Sequence, residues 1–300
     1  MTILVVGSMA LDDLELPSGT FDDVLGGSAT HFAFAASALA PCRIVAIVGS
    51  DFPARSLRRL RSRGVALDGV VHRDGPTFRW GGRYPPGFQG RETKYTRLGV
   101  FARFAPEIPE AWRGSSTVLL GNISPVLQAR VLDQVRRPRF TAIDTMNFWI
   151  AGERDALESV VRRVDAVFVN DEEVLQWTCA PTIFEGIDLL HRKGPWVVVV
   201  KRGEHGAYLS CRGALTFVPA VPVRRVVDPT GAGDAFAGGF LAAVDRARRL
   251  DGPALRDALR TAAALASFAV EGIGADAMAR VRRVDIAARR RVLSRLVRPD

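Results

Sequence analysis

The chain has 300 residues, 48% of them hydrophobic and 24% charged, a composition that fits a globular domain with a sizeable core and excludes a disordered or low-complexity chain. No apolar run approaches the ~18 residues of a membrane span, and the opening Met1-Thr2-Ile3-Leu4-Val5-Val6-Gly7 lacks the basic leader of a signal peptide, so a cytoplasmic protein that engages no membrane is expected. The formal net charge of +9 comes mostly from arginines spread along the chain, including the Arg-rich end from Arg280 to Arg298; this reads as solvated surface, and no specific nucleic-acid partner is expected.

Short apolar runs alternate with helical patterns: Ile3–Val6, Ile44–Val48, Thr117–Leu120, Phe140–Ile143, Ala166–Val169 and Trp196–Val200. That alternation predicts an α/β fold, a mostly parallel central sheet flanked by helices on both faces. The runs end in Gly7, Gly49, Gly121, Asp144, Asn170 and Lys201. In open α/β sheets ligands bind outside the carboxyl ends of the strands, so these residues mark the expected functional edge. Leu11 to Val24 and Val70 to Phe101 break the rhythm with short acidic or aromatic-bearing segments around Pro85-Pro86-Gly87, and read as β structure outside the main sheet. Cys42, Cys179 and Cys211 are widely spaced, which favours reduced thiols over disulfides or a metal site.

Along the functional edge, Asp12 stands where it could grip hydroxyl groups, or belong with Asp13 to an ordinary acidic turn. Gly26-Gly27-Ser28 precedes a helix expected over 29–40, stopped by Pro41, with Ser28 as its cap and the glycines permitting close approach of a substrate. His31 lies on that helix, as a packed residue or a ligand contact. In the cluster Asp144 to Trp149, Asn147 could reach a substrate. Asn170 and Glu173, three apart, share a helix face and either form an N-x-x-E capping box or hold a hydrated Mg²⁺. Lys201-Arg202-Gly203-Glu204-His205-Gly206 reads as a turn between strands, ahead of a hairpin formed by Ala207–Ser210 and Leu215–Val218.

The stretch that organises the rest is Val226-Val227-Asp228-Pro229-Thr230-Gly231-Ala232-Gly233-Asp234-Ala235-Phe236. Gly231 and Gly233 let the backbone approach a ligand, and the free amides of the following helix would face an anion. Phe236, Phe240, Ala243, Val244 and Ala247 recur at helical spacing, so one face packs and Asp234 stays at the mouth of the turn. An acid beside a phosphate cradle suits phosphoryl transfer, in which a carboxylate accepts the proton of the attacking hydroxyl. A helix-capping acid is the plainer alternative.

Asp-Pro-Thr-Gly-Ala-Gly-Asp-Ala-Phe resembles the C-terminal signature D-T-T-G-A-G-D-x-F of the ribokinase-like (PfkB) carbohydrate kinase family. Gly26-Gly27 resembles its N-terminal G-G-x-x-x-N, with His31 in place of the usual Asn, and Ala10 stands where ribokinases proper have Asn. The resemblance implies a ribokinase-like fold over residues 1–300 with a small β lid inserted at about 11–25 and 70–104. It implies Asp234 as catalytic base, Gly231, Ala232 and Gly233 as anion hole, and Asp12, Gly26, Gly27, His31 and Asn147 on the acceptor. Lys201, Gly203, Gly206, Thr230, Ala263 and Ser267 fall on the nucleotide, the last two from a helix over 254–270. Asn170 and Glu173 would hold the metal through water. The implied cofactors are ATP and Mg²⁺, with a monovalent cation as a further candidate; a homodimer through the lid is a candidate assembly. The expected reaction is transfer of the γ-phosphoryl group to a primary hydroxyl of a sugar. A nucleoside acceptor is the alternative, ahead of a ligand sensor or a basic nucleic-acid-binding protein.

Overall fold

The computed structural model describes residues 2–296; Arg298 of the basic end lies outside them. Its strands are β1 (Ile3–Val6), β2 (Ala10–Leu16), β3 (Gly19–Gly26), β4 (Cys42–Val48), β5 (Val65–His72), β6 (Arg79–Arg83), β7 (Glu92–Arg97), β8 (Thr117–Leu120), β9 (Phe140–Asp144), β10 (Ala166–Asn170), β11 (Val197–Lys201), β12 (Ala207–Cys211) and β13 (Ala214–Val218). Nine of these form one sheet in the order β13-β12-β11-β10-β9-β8-β1-β4-β5. It is parallel from β11 through β5, and only the hairpin β12–β13 runs antiparallel at one edge.

Every residue of β1 and β8 is buried, because helices cover both faces and leave no polar side. Ser28–Ser37, Ala232–Arg246 and Gly252–Ala269 bury Phe32, Phe240 and Leu265 on one face, while Val131, Leu157 and Trp177 fill the other. Phe168 of β10 meets Phe240 edge to face, with ring centroids 5.4 Å apart, so the helix that follows the glycine-rich turn is fixed to the middle of the sheet. From β1 the chain moves to β4 and β5 on one side, then returns to build β8 through β11 on the other. This reversal opens a crevice at the carboxyl ends of β1 and β8, the place where doubly wound sheets bind ligands.

A second, four-stranded sheet has the order β3-β2-β6-β7 and forms the lid. Leu14, Leu16 and Tyr84 bury its underside, and Ile273 of the main body packs against them. The two inserted segments differ in how much they give to the lid. The first supplies β2 and β3; the second supplies β6 and β7, while residues 70–72 complete β5 of the main sheet and Gly99–Arg103 form a 3₁₀ turn.

Ser28 is not the cap of the first helix. Gly27 occupies that position with φ of 94°, the helix ends at Ser37, and no side chain among the described residues caps it. The Ser28 hydroxyl is held instead by Ser8, accepting from its amide at 3.2 Å, while the Ser28 amide donates to Ser8 Oγ at 3.1 Å. This exchange ties the helix to the loop after β1. The later helix begins at Gly252 rather than 254, because Asp251 caps it by accepting from the Ala254 amide at 3.0 Å. The three cysteines are free. Among the described residues no helix is long and apolar enough to cross a membrane.

Candidate active site

The glycine-rich turn ends in Gly231, the N-cap of helix Ala232–Arg246, with left-handed φ of 73° and no side-chain cap among the described residues. A side chain at Gly231 would overlap the ring of His31, so the turn rests on that imidazole. The amide of Ala232 closes the turn onto Pro229 O at 3.2 Å. Asp234 occupies the first turn of a long helix whose positive end is open, an arrangement suited to an anion.

Asp144 and Lys201, at the ends of β9 and β11, gather near Asp234 with Glu173, which stands in the first turn of the helix Asp171–Thr178 that follows β10. Lys201 Nζ donates to the two oxygens of Asp144 at 2.9 and 3.1 Å. The same ammonium lies 3.3 Å from the point where a Gly233 side chain would begin. Asp234 retains a solvent-facing edge, but dehydration on its other sides and the charge of Asp144 push its carboxyl up to about 7, against the opposing charges of Lys201 and Arg91. Burial alone would lower the Lys201 ammonium; Asp144, Glu173 and Asp234 outweigh it and hold the pKa above its ordinary value.

Asn170 and Glu173 form a reciprocal capping box: the Asn170 side chain accepts from Glu173 N at 2.7 Å, and Glu173 Oε2 accepts from Asn170 N at 2.8 Å. Burial, chiefly, pushes Glu173 up to about 7. Its other oxygen is left for a ligand, and hydrated Mg²⁺, which uses one or two carboxylates together with phosphate oxygens, suits such a donor.

Where β2 and β3 meet the first helix, Gly26 lies so close to Asp12 that a Cβ there would overlap the carboxylate, which brings Asp12, Gly26 and Gly27 together. Burial, then the charges of Asp228, Asp13 and Asp234, hold Asp12 well above the usual carboxylate range. His31 is buried with neither ring nitrogen hydrogen-bonded, and burial lowers its pKa to about 4, so the ring is neutral at physiological pH. Asn147 stands apart from this group: it is exposed at the start of a short helix, where its carbonyl accepts from Gln176 at 3.5 Å.

Thr230 joins the turn to the lid. Its hydroxyl donates to Tyr84 OH at 3.0 Å, and its amide donates to Asp228 at 2.9 Å. The second oxygen of Asp228 accepts from Gly274 N at 2.8 Å, and Gly274 in turn abuts Val24 and Leu25 of β3. Gly203 and Gly206 shape the turn from β11 to β12, immediately after Lys201. Ala263 and Ser267 are buried in helix Gly252–Ala269, and the Ser267 hydroxyl donates to Ala264 O at 2.7 Å.

Four residues with no role assigned from sequence belong to this constellation. Asp144 ends one of the apolar runs and Asp228 opens the signature, so both carried a positional signal. Tyr84 and Arg91 come from the Pro/Gly-rich lid turn, where nothing local announces the bond of Tyr84 to the glycine-rich turn or the effect of the Arg91 charge on Asp234. The resulting set fits a nucleotide polyphosphate with its metal: an open helix end for the anion and acids beside it for the cation.

A family model described as "pfkB family carbohydrate kinase" matches residues 123–281. A cytidine kinase of Thermococcus kodakarensis is 33% identical over 258 residues, covering 84% of this chain and 91% of its own. A nucleoside kinase of Methanothermobacter thermautotrophicus is 28% identical over 260 residues, covering 83% of this chain and 79% of its own. The solved structure of Burkholderia thailandensis nucleoside kinase in complex with inosine aligns with a TM-score of 0.82 at 20% identity, covering 99% of this chain and all (100%) of that one. The fold is the ribokinase-like α/β fold, with a mainly parallel sheet and a small β lid.

Proposed function

Since the chain belongs to the pfkB family of carbohydrate kinases, a phosphotransferase family with alcohol acceptors, we propose that it transfers the γ-phosphoryl group of ATP to a primary hydroxyl of a nucleoside. The observation that carries the chemistry is Asp234 in the first turn of an uncapped helix, beside Lys201 and Asp144. The nucleoside rests on the relatives: the cytidine kinase and the nucleoside kinase each match over most of this chain. They move the acceptor from the sugar expected on sequence motifs to the nucleoside alternative.

ATP with Mg²⁺ supplies the activated phosphoryl group. Asp234 accepts the proton of the attacking hydroxyl, and its raised pKa suits a base working near neutrality. The turn Gly231-Ala232-Gly233 directs the positive end of its helix toward developing negative charge. Asp12 holds acceptor hydroxyls, with Gly26 and Gly27 allowing them close and His31 offering an unpaired ring nitrogen. Asn170 and Glu173 hold the hydrated metal, Lys201 steadies the phosphate chain, and Gly203, Gly206, Thr230, Ala263 and Ser267 form the nucleotide side. The test is an ATP-consumption screen over nucleosides, sugars and sugar acids, with Asp234→Asn in parallel. Turnover of nucleosides that disappears in the variant is expected; turnover restricted to sugars or sugar acids would overturn the acceptor assignment.

A further inference from the structure

The carboxyl ends of β8 and β9 are clamped to each other by a buried amide. Gln128 donates through Nε2 to the carbonyls of Gly121 at 2.9 Å and Asp144 at 3.1 Å. Just beyond this clamp the two strand ends are joined a second time: the indole Nε1 of Trp149 donates to Asn122 Oδ1 at 2.8 Å, and Asn122 Nδ2 lies 3.1 Å from the Met146 sulfur. Asn122 directly follows Gly121, where a Cβ would stand 3.2 Å from the Ser28 hydroxyl and 3.4 Å from Gly7 Cα. Ser28 in turn follows Gly26 and Gly27. Asn122 therefore borders the end of the crevice that holds Asp12 and the two glycines, whereas Lys201 lies three strands away at the end of β11.

An indole N–H can only donate, so its bond fixes the Asn122 amide with the oxygen toward Trp149 and the NH2 group turned away. A thioether is a weak acceptor, and among the described residues Asn122 Nδ2 has no other partner. The aromatic surface beside it is also open. Trp149 is half-buried, and Phe148, 64% exposed, meets it edge to face with ring centroids 4.8 Å apart. Of the cluster from Asp144 to Trp149, it is Trp149 rather than Asn147 that turns to this rim, because two positions along a helix rotate a side chain by about 200°.

We propose that Asn122 and Trp149 are specificity-determining residues that receive the heterocyclic base of the acceptor, a function that rests on the nucleoside-kinase reading above. A held amide donor next to an indole matches a flat heteroaromatic ring: the ring stacks on the aromatic surface, and one of its acceptor atoms takes the available N–H. A sugar without a base offers neither contact. Because Asn122 and the Gly26-Gly27 pair flank neighbouring strand ends, one molecule can lay its base on the rim and its sugar hydroxyls against Asp12. The double clamp between β8 and β9 holds the rim in place before the acceptor arrives.

The test compares cytidine, uridine, adenosine and inosine with methyl β-ribofuranoside, which keeps the sugar and lacks the base. The quantity read is the ratio of kcat/KM for the best nucleoside to that for the methyl riboside, in the unaltered protein, Trp149→Ala and Asn122→Asp. Trp149→Ala should lower the ratio roughly 5- to 150-fold, the range of one base–aromatic stack. Asn122→Asp keeps an oxygen for the Trp149 indole and removes only the N–H, so it should lower the ratio about tenfold, the scale of one hydrogen bond, with the melting temperature little changed; it carries the test if Trp149→Ala does not fold. Calorimetry without ATP should show the same loss in nucleoside affinity. An unchanged ratio, or equal losses on the nucleoside and the methyl riboside, would overturn the role of this rim and leave the nucleoside-kinase reading intact. Turnover of sugars but of no nucleoside by the unaltered protein would overturn both.

Discussion

The imidazole of His31 and the backbone of Gly231 occupy adjoining space so tightly that no side chain fits between them. The glycine-rich turn is therefore supported from the side by a residue that arrives 200 positions earlier in sequence, and its left-handed φ of 73° adds a second reason for glycine there. Gly231→Ala should destabilise the fold by about 1–3 kcal/mol through overpacking and lower kcat at least tenfold by displacing the turn. Thermal unfolding and steady-state kinetics on the same preparation check both. Retention of both values would mean that the turn can move aside without consequence.

His31→Asn restores the residue usual in the family at this position while shortening the side chain. Since burial keeps the imidazole neutral with a pKa of about 4, the wild-type acceptor KM should show no His31 titration between pH 6 and 8. The substitution should change the acceptor KM and the nucleoside-to-sugar preference by about tenfold, the scale of one hydrogen bond to a neutral group, with ATP affinity unaltered. Equal effects on both substrates would identify His31 as support for the turn only.

Asp234→Asn should reduce kcat by roughly 10²–10⁴, as expected for loss of a general base, with ATP binding preserved. In the unaltered enzyme the base is active when ionised, so kcat/KM should rise with pH through a midpoint near about 7, and this limb should vanish in the variant. The same shift predicts the stability profile. A carboxyl raised from 3.8 to about 7 contributes stability that is fully present below pH 3.8 and lost as pH rises through about 7. The unliganded protein should accordingly lose stability across that window, and Asp234→Asn should flatten the loss; a pH series of denaturant midpoints measures it.

Lys201→Met removes the cation paired with Asp144 and leaves a carboxylate with 6% side-chain exposure uncompensated. Breaking a buried pair from one side typically costs about 3–5 kcal/mol, and the double variant with Asp144→Asn should recover part of it. Loss of the Lys201 charge should also displace the pH–rate limb of Asp234 upward, since that charge opposes its raised pKa. An unmoved limb would place Lys201 outside the electrostatics of the base.

Glu173→Gln separates the two roles of its position. Glutamine also serves at the third position of a capping box, so the helix beginning at Asp171 should keep its start and the melting temperature should change little. The Mg²⁺ concentration required for half-maximal rate should rise severalfold. An unchanged metal titration would leave Glu173 with the cap alone.

Much of this architecture was legible because a parallel sheet buried on both faces demands continuous apolar runs, and those runs stand out in the chain. β5 escaped notice for the complementary reason. Its sequence, Val65-Ala66-Leu67-Asp68-Gly69-Val70-Val71-His72, lies at the sheet edge, where one flank faces solvent and an acid and a glycine are tolerated. Ser28 misled because cap preference is local, whereas its hydroxyl was claimed by Ser8 twenty residues away. Asp234, Gly231 and the Asn170–Glu173 pair were readable because each is a short-range motif. Lys201 was placed at the phosphate end, but its bond to Asp144 joins strands separated by 57 positions and left no pattern in either segment. Arg91 and Tyr84 belong to the same category: their meaning depends on how the lid folds over the crevice.

The bond from Tyr84 to Thr230, with Asp228 clasping both Thr230 and the Gly274 that touches β3, makes cover and cradle one mechanical unit. Raising the lid would draw Tyr84 away from Thr230 and release part of the restraint on the glycine-rich turn. A half-dressed site of that kind would be a poor catalyst for water, which has too little surface to hold the lid down. In the proposed kinase, an acceptor large enough to hold the lid down would therefore also hold the glycine-rich turn in place for ATP.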